Sequence, residues 1–167
     1  MKNSEEFIIY KGVKWVVDDT GFLNLEGCHI IDTSELKGLE DLTTLKELWL
    51  DNNYVRAVRS LENCQNLRRL SLLGNRITEI TKIAGLEDLT NLRELNLAYN
   101  NISILEGLDT LENLEVLNLD GNYISNIENL ESLKSLKVLK IGGNNIKRIQ
   151  GLDNLTNLER LYFCDIR

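Results

Sequence analysis

The sequence predicts an α/β solenoid: a curved parallel sheet on the concave side, 3-10 or short helical turns on the convex side, and an N-terminal β-hairpin cap. Three observations predict it. The pattern L-x-x-L-x-L-x-x-N recurs along nearly all of the 167 residues, and self-similarity at a fixed period marks stacked repeats. Within each copy the apolar spacing changes from two to three after the asparagine, as when a strand gives way to a tight turn. The opening residues carry no copy and read instead as paired strands.

Taken in order, residues 1–22 form the expected cap. Phe7-Ile8-Ile9-Tyr10 and Val13-Lys14-Trp15-Val16-Val17 flank Lys11-Gly12 as hairpin arms, and Asp18-Asp19-Thr20-Gly21 is a second turn. Trp15 belongs to the cap's own core, because a repeat stack needs its end covered. Residues 23–167 form the repeat domain, with about six repeats, the last incomplete. Full copies stand at Leu45/Leu48/Leu50/Asn53, Leu67/Leu70/Leu72/Asn75, Leu92/Leu95/Leu97/Asn100, Leu114/Leu117/Leu119/Asn122 and Leu136/Leu139/Ile141/Asn144. An opening half-copy, Leu23/Leu25, has Cys28 at the asparagine position, and a closing one, Leu158/Leu161/Phe163, has Ile166 there.

In Leu48-Trp49-Leu50 the leucines point inward and Trp49 outward, the alternation of a strand with one buried face. Beyond the asparagine the apolar period is three, as in Val55, Val58, Leu61, Cys64, Leu67. Two copies gain one further step of three: Ile77 to Leu92, and the run through Thr33, Leu36, Leu39 and Leu42. Both carry Gly-Leu-Glu-Asp-Leu-Thr, at 38–43 and 85–90. In these long copies the convex side is expected to be partly α-helical.

The pattern resembles the leucine-rich-repeat family, and the period of 22 with the following I-x-x-I-x-x-L is similar to the subfamily of the protein phosphatase-1 regulatory subunit and the dynein light chain 1 type. The resemblance implies a leucine-rich-repeat solenoid over about residues 20 to 167. It implies that Asn53, Asn75, Asn100, Asn122 and Asn144 turn inward as a structural ladder. An amide side chain satisfies both the N–H and the C=O groups that a buried turn leaves without partners. Cys28, at the same position, is expected to be buried and inert.

Composition narrows the function. Acidic residues outnumber basic ones 26 to 19, for a net charge of −7 and a pI near 4.8. Nucleic-acid affinity rests on Lys and Arg neutralising phosphates, so no nucleic-acid partner is expected; the same charge disfavours an anionic membrane surface. No apolar run reaches the length of a span, and the polar start Met1-Lys2-Asn3-Ser4-Glu5-Glu6 does not read as a secretory signal. Three cysteines make no closed disulfide framework. A cytoplasmic location is expected. His29 is the one histidine, and there is neither a Cys-x-x-Cys pair nor a Gly-rich phosphate loop. No catalytic residue, metal site or cofactor is assigned, and the chain is expected not to be an enzyme.

The outward residues of the strands remain. Trp49, Tyr54, Leu73, Tyr99, Tyr123 and Tyr162 are aromatic or apolar where the fold does not need to bury them. Arg69 and Arg76 lie beside them, and Glu47, Asp51 and Asp120 add negative charge. Aromatic anchors with arginine rims are the composition of interface hot spots. The expected function is a non-catalytic scaffold or regulatory module that binds a protein or peptide on its concave face, with basic residues on the partner favoured. The alternative is a self-associating structural module, joined through the C-terminal edge, or the recognition segment of a larger multidomain enzyme.

Overall fold

One leucine per coil sets the register of the whole sheet. In the computed structural model, which describes residues 5–164, seven three-residue strands stack in chain order and all parallel. They are β3 (Phe22–Asn24), β4 (Glu47–Trp49), β5 (Arg69–Ser71), β6 (Glu94–Asn96), β7 (Val116–Asn118), β8 (Val138–Lys140) and β9 (Arg160–Tyr162). Leu23, Leu48, Leu70, Leu95, Leu117, Leu139 and Leu161 lie side by side across them. A slip of one residue would turn this column toward solvent, so burial of one face locks the register. Together with the apolar residues of the turns, these leucines up to Leu139 form one continuous core along the solenoid axis.

The convex side is 3-10, not α-helical, in both long coils: Thr33–Glu35 and Leu39–Asp41 in one, Ile80–Lys82 and Leu86–Asp88 in the other. This corrects the helical expectation, and the apolar period explains it. Residues three apart eclipse in a 3-10 turn, so Ile80, Ile83, Leu86 and Leu89 all point into the core. At 3.6 residues per turn the same positions would drift off the buried face. Gly38 and Gly85 break each pair of turns in the left-handed region, with φ of 95° and 85°. A Cβ at Gly85 would come within 2.5 Å of the Glu62 nitrogen, so the preceding coil fits only against a glycine. Among the described residues no helix is long and apolar enough to cross a membrane.

Asparagines tie the coils together. Asn100 Oδ1 accepts the Ile77 N–H at 3.0 Å, and its Nδ2 donates to the Leu72 and Leu97 carbonyls at 2.8 and 3.1 Å. Asn53, Asn75, Asn122 and Asn144 repeat this arrangement. A second ladder, which the sequence reading did not single out, runs along the opposite bend. There Asn66, Asn91, Asn113 and Asn157 donate to Thr43, Gln65, Thr90 and Lys134 carbonyls of the preceding coils. Cys28 departs from expectation: it is half-buried, its Sγ 3.6 Å from its own Glu26 carbonyl.

The N-terminal hairpin pairs β1 (Phe7–Tyr10) with β2 (Val13–Val16), Phe7 opposite Val16. Ile8, Tyr10 and Val17 enter the core, and Trp15 packs against it from a half-buried position. The Tyr10 hydroxyl donates to the His29 carbonyl at 3.2 Å, and two further joints hold the hairpin. Ile9 and Lys37 exchange backbone hydrogen bonds at 2.9 and 3.1 Å. The Glu6 carboxylate accepts from the amides and hydroxyls of Thr43 and Thr44 at 2.8–3.1 Å. Burial pushes the Glu6 carboxyl up, but those donors outweigh it and the pKa ends below its ordinary value. At the other end Leu161 and Phe163 are 36% and 43% exposed, whereas their counterparts Leu139 and Ile141 are wholly buried. Ile166 lies outside the described residues.

Candidate functional site: the concave sheet

Each strand turns one outward residue, flanked by two more, to the concave side. The outward residues that close β3 to β9 are Asn24, Trp49, Ser71, Asn96, Asn118, Lys140 and Tyr162. Trp49 is 37% exposed, and its ring meets Phe22 edge-on, centroids 5.2 Å apart. Phe22 thus fixes the indole from the neighbouring strand while leaving part of it open. Such aromatic pairs contribute beyond their buried area.

The carboxylates around Trp49 are partly committed already. Arg69 spans two strands, its Nη1 3.0 Å from Glu47 and its Nε 3.0 Å from Glu94, so the Glu47 charge is met within the sheet. Asp51 Oδ1 accepts the Leu73 N–H at 3.0 Å, and Asp120 Oδ1 accepts the Gly142 N–H at 2.7 Å. In three other coils an asparagine two residues back does the same for the amide at the end of its own strand: Asn24 for Glu26, Asn96 for Ala98 and Asn118 for Asp120. Ser71 is too short and Lys140 offers no acceptor, so the aspartate of the preceding coil fills the place. Burial pushes the Asp51 carboxyl up, against donation from Ser71 and Leu73.

The sheet curves around a shallow depression of about 340 Å³. Of the residues expected at the site, Trp49, Asp51 and Arg69 line it; Ser71, Asn96 and Lys140, which sequence reasoning did not assign, line it too. Glu47 lies at its rim through the Arg69 ion pair. Leu73 is half-buried beside the Asp51 contact. Tyr162 stands on β9, with the Lys140 Nζ 5.6 Å from its ring centroid.

The other tyrosines lie on the flank beyond the strands. Tyr54 is packed between His29, with ring centroids 5.8 Å apart, and the Arg76 guanidinium, 4.6 Å from the ring. Tyr99 is 57% exposed and has φ of 55°, at a turn where the neighbouring coils place Gly74 and Gly121. Its ring lies over Gly121, where an added Cβ would come within 2.7 Å of it. Tyr123 is exposed on the same flank. The expected residues therefore divide into a sheet group around Trp49 and a flank group of Tyr54, Arg76, Tyr99 and Tyr123.

Elsewhere the chemistry is sparse. Burial pushes the Cys64 thiol up to about 12, which makes it a poor nucleophile. Cys164 is exposed at the end of the last strand. Among the described residues no group of three His, Cys, Asp or Glu side chains could hold a metal ion. A larger recess of about 760 Å³ between cap and first coil is lined by Glu5, Asp18, Asp19 and Lys46, with the Glu6 joint at its wall.

Residues 65–124 match the sequence model of the leucine rich repeat family. Among solved structures, a leucine-rich-repeat protein of Leptospira interrogans is similar at a TM-score of 0.71 and 30% identity, over 77% of this chain and 33% of that one. Internalin C2 of Listeria monocytogenes is similar at 0.58 and 20% identity, over 86% and 80% of the two chains. Internalin F of the same organism is similar at 0.56 and 26%, over 83% and 48%. The chain thus spans about a third of the Leptospira protein and less than half of internalin F. No curated protein matches it. The fold is a leucine-rich-repeat solenoid.

Proposed function

We propose that this leucine-rich-repeat solenoid is a non-catalytic interaction module that holds a protein segment on its concave sheet, and that the segment carries basic side chains. The observation that carries the reading is Trp49: an indole supported edge-on by Phe22, left partly open beside Asp51, at the wall of the concave depression. Desolvating an indole against a partner yields more than most contacts do. Selection of binders from a random peptide library on the immobilised protein, counter-screened on Trp49→Ala, tests this. Binders that lose at least tenfold in affinity on the variant sustain the reading; binders indifferent to Trp49 refute it.

The period of 22 supports a finer proposal, regulatory or scaffold work of the phosphatase-1 regulatory subunit or dynein light chain 1 kind. Titration against phosphatase-1 catalytic subunit tests the first of these. The three free thiols support a reducing, cytoplasmic setting, which cell fractionation checks. A second reading rests on exposed Leu161 and Phe163: copies of the chain associate through the β9 edge, since unpaired strand edges invite pairing. A molecular mass that rises with concentration supports it.

A further inference from the structure

The charges of the concave face are sorted along the solenoid axis. Over β3 to β6 and their ends stand Glu26, Glu47, Asp51 and Glu94 against Arg69 alone; over β7 to β9 stand Lys140 and Arg160 against Asp120. Internal pairing sharpens the separation. Arg69 is taken up by Glu47 and Glu94, while Glu26, which accepts from the Asn52 side-chain amide at 2.9 Å, and Asp51, beside Trp49, have no cationic partner among the described residues. At the far end Lys140 and Arg160 make no ion pair among the described residues, and Asp120, which accepts the Gly142 N–H as Asp51 accepts that of Leu73, is the one opposing charge among the outward residues there. Each charged end also has an exposed aromatic ring, Trp49 at the acidic one and Tyr162 at the basic one. Between them lie neutral Ser71, Asn96, Val116 and Asn118, beside Arg69 and Glu94, whose charges meet in an ion pair.

Resting on the concave-face reading above, we propose that the occupant is an extended segment of opposite polarity, with a lysine or arginine seated against Trp49, Asp51 and Glu26 and a carboxylate seated against Lys140 and Arg160. The geometry sets its length. From β4 to β8 there are four strand spacings, about 19 Å at roughly 4.8 Å each, which an extended chain covers in about six residues. The cation thus meets an aromatic face with carboxylates beside it, the middle of the segment lies over neutral amides, and the anion meets the basic end. Complementary charge sets register and direction more than bulk affinity, so the signature is a preference among peptides of equal size.

Four synthetic peptides with a neutral extended middle test it by titration at low salt: lysine and aspartate six positions apart, the same pair two apart, two lysines six apart, and two aspartates six apart. The wide lysine–aspartate peptide is expected to bind best, by about tenfold over each other one, with the margin shrinking as salt rises. Lys140→Glu is expected to move the preference to the two-lysine peptide, and Glu26→Lys to the two-aspartate peptide. Both residues point outward, and unchanged thermal midpoints confirm that the variants fold. Equal binding of wide and narrow peptides, or preferences that stay as in the wild type in both variants, overturns the charge axis. If library binders still depend on Trp49 while these peptides show no preference, the concave-face reading stands and this inference fails. If no binder depends on Trp49, the reading beneath it fails as well.

Discussion

A single amide shows how the coils are held. Asn100 satisfies one buried N–H and two carbonyls at once, so Asn100→Ala should lower stability by about 1–3 kcal/mol, the cost of leaving buried polar groups unpaired. The shift of a urea unfolding midpoint at constant slope measures this. Tyr99 shows the opposite arrangement, a side chain at a backbone position that favours glycine or asparagine. Asn52 occupies the same turn two coils earlier, with φ of 55°. Tyr99→Asn should therefore stabilise the fold by roughly 0.5–1 kcal/mol, a part of the left-handed penalty, and weaken binding if the flank tyrosines touch the partner. A loss of stability would show that the ring's contact with Gly121 outweighs the strain. The outward direction of Trp49 follows from the two-residue period alone. Its support by Phe22, and the capture of Glu47 and Glu94 by Arg69, depend on which strands are neighbours and how their side chains lean, so they emerge only in three dimensions.

At the scale of elements the cap is the part most open to acid. The Glu6 pKa is depressed in the folded state by its four donors. The stability it contributes is present above the ordinary value of 4.5 and is lost as pH falls through the lower folded value. As pH falls below 4.5 through the lower folded value the hairpin should loosen first, seen as a change in Trp15 fluorescence and faster exchange of the Ile9 amide. Glu6→Gln should weaken the cap at neutral pH and flatten that dependence. An unaltered acid response in the variant would place the titrating group elsewhere, for instance at Asp18, which is held low by the Thr20 hydroxyl and the Phe22 amide. The hairpin was readable from the alternation of Phe7 to Val17. Its joint to Thr43 and Thr44 was not, because the partners lie 37 and 38 residues apart with no pattern linking them. The convex turns of the long coils differ from the helical expectation because the apolar period stays at three there, which a 3-10 turn and not an α-helix keeps on one face.

Across the whole molecule stability is close to a sum over neighbouring coils, so the coil of β9, which among the described residues has a neighbouring strand on one side, should open first. Amides from Leu158 onward should exchange faster than those of 92–97 in dilute solution, and slow with rising concentration if copies pair at β9. Equal protection that does not depend on concentration would show that the end is held in another way. The repeat made the sheet and its inward leucines legible. The charge axis was hidden, since it appears only once seven strands are laid side by side and internal ion pairs are discounted. The most direct measurement of the central claim, that outward residues bind while inward ones hold the fold, is an amide chemical-shift map of the labelled protein titrated with a library-selected peptide. The account predicts shifts gathered at Trp49, Ser71, Asn96, Asn118 and Lys140, with the convex turns at Thr33–Glu35 and Ile80–Lys82 unmoved. Shifts concentrated on the convex turns or at the cap, with Trp49 and its neighbours silent, would contradict it.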